Sequence, residues 1–99
     1  MILHTLNKAP QTPAAVGCLN ALGSSANSQD SLLLLEDGAY LADKANEALL
    51  KELSIPVYAV EADIEARGLA NRIVAGITLV TYAGFVELVT EHKMTKSWL

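Results

Sequence analysis

Apolar and polar positions along the chain alternate between short apolar runs and stretches in which apolar residues recur every three or four positions. This is the pattern of parallel strands joined by crossover helices. "MILHTL" predicts a first strand ending near Leu6. "NKAPQTP" then turns the chain, with Thr12 placed to cap a helix whose first position is Pro13. In that helix Ala14, Ala15, Cys18, Leu19 and Leu22 fall on one stripe, which points Cys18 toward the sheet. Gly23 is the expected stop, and "SSANSQD" reads as an exposed, mobile polar connection.

"SLLLLEDG" follows, and its unbroken leucines suit a central strand covered on both faces. Past Gly38 the spacing predicts a regular helix with Leu41, Ala45, Ala48, Leu49 and Leu53 inward. Tyr40, Lys44, Glu47 and Lys51 then face outward, with Glu47 and Lys51 spaced for a surface pair. Pro56 opens a third strand, "PVYAVE", and "ADIEARGL" predicts a short helix with acidic residues at its start and Gly68 at its end. "GITLVT" is a fourth strand. "YAGFVELVTEH" is a last helix with Tyr82, Phe85, Val86 and Val89 toward the core, ending near His92. The tail "KMTKSWL" is left with an aromatic and an aliphatic residue and no element to bury them.

Composition narrows the class. With 99 residues and 52% hydrophobic content, one packed core is expected, with apolar surface to spare for a partner. Eleven Asp and Glu outweigh seven Lys and Arg, and the basic residues are scattered. Direct nucleic-acid binding, which needs clustered cations, is therefore not expected. A lone cysteine forms no internal disulfide, and no run approaches the ~18 apolar residues of a membrane helix. The opening "MILHTLNKAP" lacks the build of a signal peptide, so a reducing cytoplasm is the expected location.

Candidate chemistry is sparse. Ligands of open parallel sheets collect at the carboxyl ends of strands, here Asn7 and Lys8, Glu36 and Asp37, Glu61 and Asp63, and Thr81 and Tyr82. The acidic members read as helix caps and turn residues rather than as metal ligands. No Gly-rich phosphate loop follows a strand, and neither His4 nor His92 has a second histidine at metal-ligand spacing, so no cofactor or metal is expected. His4 reads as a hydrogen-bonded sheet residue, and no spacing rule pairs it with Cys18. Cys18 lies past the first helical turn with no Lys or Arg within a turn of it, which suits a small buried hydrophobe better than a reactive thiolate. Trp98 and Leu99 read either as a frayed terminus or as an anchor for a neighbouring subunit.

Five stretches, "ILHTLNKAP", "LLLLEDGAY", "VYAVEADIEARGL", "TYAGFVELVTEH" and the terminal "SWL", together resemble the DsrH/TusB family of sulfur-relay subunits over nearly the whole chain. The resemblance implies an α/β DsrE-like three-layer fold over residues 1–99 as one domain: a mostly parallel sheet of four to five strands with helices on both faces. It also implies a place in a cytoplasmic relay that passes persulfide sulfur between cysteines. In the Tus version three homologous subunits, B, C and D, form a dimer of heterotrimers serving 2-thiolation of the tRNA wobble uridine. In the Dsr version the E, F and H subunits serve sulfur oxidation. The principal sulfur-carrying cysteine belongs to the D or E subunit.

This chain is therefore expected to be a non-catalytic docking subunit of a sulfurtransferase complex, with C/F-type and D/E-type partners, or a homo-oligomer when isolated. The alternative is a DsrH-type subunit of a sulfur-oxidation complex with Cys18 as an auxiliary persulfide carrier, since Cys18 matches a first-helix cysteine of DsrH-type members. The chain departs from the family pattern at Thr81, where an Asp commonly precedes the Tyr of "YAGF".

Overall fold

The computed structural model describes residues 1–25 and 29–99. In chain order these form β1 (Ile2–Leu6), α1 (Pro13–Ser25), β2 (Ser31–Leu34), two 3₁₀ segments (Glu36–Ala42 and Lys44–Asn46), α2 (Glu47–Lys51), β3 (Val57–Val60), α3 (Glu61–Ala66), β4 (Thr78–Val80), α4 (Tyr82–Glu91) and β5 (Met94–Trp98). The five strands make one sheet in the order β4-β3-β2-β1-β5, and every neighbouring pair is parallel. This is the expected α/β architecture. No helix among the described residues is long and apolar enough to cross a membrane.

Side chains alternate across a strand, so the sheet sorts its apolar residues into two layers. On one face Leu6, Leu32, Leu34 and Ala59 pack with Ala15, Cys18 and Leu22 of α1, Leu41 and Leu50 of the 3₁₀–α2 segment, and Ile64 of α3. On the other, Leu3, Leu33 and Val60 pack with Leu88 and Phe85 of α4. Leu32, Leu33 and Leu34 have no exposed surface, as expected for a central strand buried from both sides.

The tail is not left over. Met94–Trp98 pairs with β1 in parallel register, Ile2 opposite Met94 through Leu6 opposite Trp98, and becomes the fifth strand. Thr5 Oγ1 donates to Ser97 Oγ at 3.1 Å on one face of this pair. On the other face the Trp98 indole packs against the main core. A run of polar and charged residues such as "KMTKS" carries little strand signal, but an edge strand with one open side needs none.

Two helices depart from the pattern for identifiable reasons. The regular helix expected after Gly38 is broken at Asp43, which is extended (φ −62°, ψ 140°). There the chain pairs sideways with residues 72–74: Lys44 N donates to Arg72 O at 2.8 Å and Val74 N to Ala42 O at 2.9 Å. Asp43 then caps the next turn by accepting from Ala45 N at 3.1 Å. Leu41 and Ala42 are buried before the break, which rotates the residues that follow it, so that Leu50 is buried while Ala45, Ala48 and Leu49 face outward. The Glu47–Lys51 surface pair forms, at 3.5 Å.

In α4 the inward line is Gly84, Phe85, Leu88 and His92, not Tyr82, Val86 and Val89, which are exposed. Gly84 explains the choice. A Cβ there would lie 3.1 Å from Val80 Cβ, so its absence lets the helix sit close on β4. His92 completes the line, its Nε2 within 3.2 Å of Ser31 Oγ.

α1 continues past Gly23 to Ser25. The connection after it is not wholly exposed, since Asp30 is buried. The expectation of mobility for residues 26–28 lies outside the described residues.

Candidate functional site

Cys18 comes first because it is the only nucleophilic sulfur. Thr12 places it: the hydroxyl accepts from Ala15 N at 3.3 Å and starts α1 at Pro13, with the stripe Ala15, Cys18 and Leu22 turned to the sheet. Cys18 has no exposed surface. Burial pushes its thiol from 9.0 up to about 12, with Lys96 opposing the rise. Lys96 comes from β5, at the far end of the chain, and no spacing within α1 foretold it.

A raised thiol pKa has a defined consequence for stability. The unfolded thiol ionises from about pH 9.0 upward, whereas the folded one holds its proton toward about 12. Over that window the unfolded state binds fewer protons, so stability falls as pH rises; below pH 9 the group contributes no slope. The expected slope approaches ~1.4 kcal/mol per pH unit. Urea melts at pH 8 and pH 10 check this: wild type should lose roughly 1 kcal/mol more between them than Cys18→Ala does.

Beside Cys18 the structure assembles a polar cluster. The Trp98 indole N–H donates to His4 Nδ1 at 3.2 Å, and the rings stack with centroids 6.3 Å apart. His4 Nε2 faces Asp30 Oδ2 at 3.5 Å, and Asp30 Oδ1 accepts from Ile2 N at 2.8 Å. Lys96 Nζ lies 4.2 Å over the indole. The edge of Trp98 lies above Gly17, the residue before Cys18, where a Cβ would sit 3.7 Å from the ring. His4 is thus a bonded sheet residue, as its sequence position suggests, but its partners come from a loop and from the C-terminal strand. Trp98 is half-buried in its own chain, whereas Leu99 is 82% exposed.

The acidic residues at the strand ends do not cap the helices as expected, since the cap positions fall on Leu35 and Val60; Asp37 and Asp63 serve instead as ion-pair and hydrogen-bond partners. Glu36 takes a left-handed conformation (φ 50°), and its N–H donates to Asp63 Oδ2 at 2.8 Å. Arg67 bridges Asp37 (3.1 Å) and Asp63 (3.6 Å), and Arg72 pairs with Asp43 at 3.0 Å. Thr81, the departure from the family's Asp, caps α4 by accepting from Gly84 N at 3.1 Å, a task either residue type performs. An open cleft of about 570 Å³ lies among these ends, lined by Pro10, Asp37, Tyr40, Asp43 and Leu49 among others. Its two carboxylates are already held by arginines. Away from it, Tyr82, Val86 and Val89 present an exposed apolar stripe along α4, Val86 being 61% exposed.

Comparison with known proteins fits this arrangement. The family model described as "DsrH like protein" matches residues 11–95. Protein TusB of Serratia proteamaculans (strain 568) is 39% identical over 99 residues, covering 98% of this chain and 100% of that protein. Protein TusB of Escherichia coli (strain K12) is 36% identical with the same coverage. Among solved structures, the ychN protein from E. coli superposes with a TM-score of 0.75 at 13% identity, covering 97% of each chain, a likeness of fold alone. Protein Tm0979 from Thermotoga maritima gives 0.64 at 28% identity, covering 94% of this chain and 95% of that one.

Proposed function

The chain belongs to the DsrH-like protein family, and from that membership we propose that it is a structural and docking subunit of a cytoplasmic sulfur relay. In this reading persulfide sulfur passes between cysteines of homologous C/F-type and D/E-type partners, in a dimer of heterotrimers, toward 2-thiolation of the tRNA wobble uridine. The relatives named TusB favour this Tus branch over sulfur oxidation.

The observation that carries the reading is the state of Cys18. A sulfur carrier must present a thiolate to its donor, and this thiol has no exposed surface and a pKa pushed up to about 12. Partner docking has better material: the α4 stripe of Tyr82, Val86 and Val89, and the exposed terminal Leu99. Apolar residues in such a line are the kind of surface a homologous subunit covers.

Co-expression with the partner subunits tests this. Cys18→Ser is expected to leave assembly and sulfur delivery nearly intact. Val86→Lys is expected to weaken assembly while shifting the isolated chain's stability by only about 0.5 kcal/mol, since the residue touches little of its own fold. Loss of sulfur transfer in Cys18→Ser, with assembly preserved, would move the reading to the auxiliary carrier.

A further inference from the structure

We propose that Trp98 is a latch held shut by neutral His4, and that protonation of His4 at Nδ1 releases the indole and uncovers the thiol of Cys18. The inference stands on the geometry of the chain alone, whatever relay it serves. An indole N–H only donates, so the 3.2 Å contact requires a lone pair on His4 Nδ1. The single ring proton of His4 is then on Nε2, directed at Asp30 Oδ2.

A proton added to Nδ1 turns that atom into a donor and sets two N–H groups against each other. The imidazolium keeps Asp30 as its partner, so the ring stays and the indole moves. Charged and titratable groups surround the switch on every side. Asp30 precedes β2, and the Met1 ammonium stands 3.9 Å from Asp30 Oδ1. Lys96 is the register partner of His4 on β5 and lies over the indole. The indole edge lies over Gly17 of α1, the residue before Cys18, and Trp98 packs against the core cluster that holds Cys18.

Release need not unzip the strand. The Thr5–Ser97 bond and the backbone ladder of β1 and β5 hold the strand without using the His4 side chain. What opens is the end of β5, where Leu99 is already in solvent.

Trp98 is the only tryptophan, so its emission and its indole N–H resonance report the latch directly. The full chain is titrated with acid while NMR follows the His4 ring, the indole N–H and Cys18 labelling by a disulfide reagent. Each labelling rate is divided by that of the urea-unfolded chain at the same pH. Below pH 9 this ratio removes the ordinary loss of thiolate, because both states lose it equally.

The expected result is that emission, indole shift and normalised labelling change together with the His4 midpoint. Labelling should rise about fivefold to tenfold, the factor for one net hydrogen bond no longer holding the closed state. His4→Gln, checked for folding by circular dichroism, should show no such step. An indole resonance and a labelling ratio that stay flat while His4 titrates overturn the latch, and this wild-type measurement decides even if His4→Gln fails to fold. A step of equal size in folded His4→Gln also overturns it.

Discussion

Gly38→Ala is expected to destabilise the chain by about 3 kcal/mol or more, the upper range for forcing volume into a packed site. A Cβ at this position would stand 2.0 Å from the carbonyl oxygen of Leu6 and 2.8 Å from its carbon. Both are backbone atoms, so no rotamer change relieves the contact. Nor is the carbonyl free to move, since Leu6 O accepts from Leu35 N at 3.1 Å. The first 3₁₀ segment must therefore lift off the end of β1. With it would go the turn that carries Glu36 and Asp37 and one wall of the strand-end cleft. Urea denaturation checks the size of the effect, with Gly23→Ala as the control. Gly23 is inside α1 with nothing within 4 Å of a Cβ, so alanine there should stabilise by about 0.5–1 kcal/mol. Equal midpoints for Gly38→Ala and wild type would mean that the segment does not rest on β1 as described.

The contrast between these glycines marks what the sequence conveys. Local pattern identified four of the strands, the entry to α1 through Thr12 and Pro13, and the inward stripe holding Cys18, because period and capping are properties of neighbouring residues. It did not convey the break at Asp43, which is made by a bridge to Ile73. It misplaced the inward face of α4, where Gly84 outweighs the larger Val86 by admitting close approach to Val80. The His4 cluster was illegible for the same reason. Its members come from β1, the segment before β2, and β5, and only the sheet order brings Asp30, His4 and Trp98 together. Family resemblance named the relay but said nothing of how this chain shields its own sulfur.

Trp98→Ala is the substitution in which that shielding is felt. Truncating a buried tryptophan costs about 3–5 kcal/mol, and Trp98 is half-buried, so a loss of roughly 2–3 kcal/mol is expected. Three contacts go at once: the bond to His4 Nδ1, the cation–π contact with Lys96, and the cover over Gly17. Trp98→Phe separates them. A phenyl ring keeps most of the packing and lacks the N–H, so it should recover all but about 1 kcal/mol, the net worth of one hydrogen bond. Labelling of Cys18 in the native state supplies a second scale. With the indole gone from over Gly17, the neighbouring Cys18 is expected to become accessible in Trp98→Ala through local opening of the strand end, at denaturant concentrations too low to unfold the sheet. If Cys18 is instead reached only by global unfolding, its labelling will follow the urea midpoint in all three chains, and the C-terminal strand will have no part in guarding it. The two scales separate a tryptophan that merely adds stability from one that stands over the sulfur.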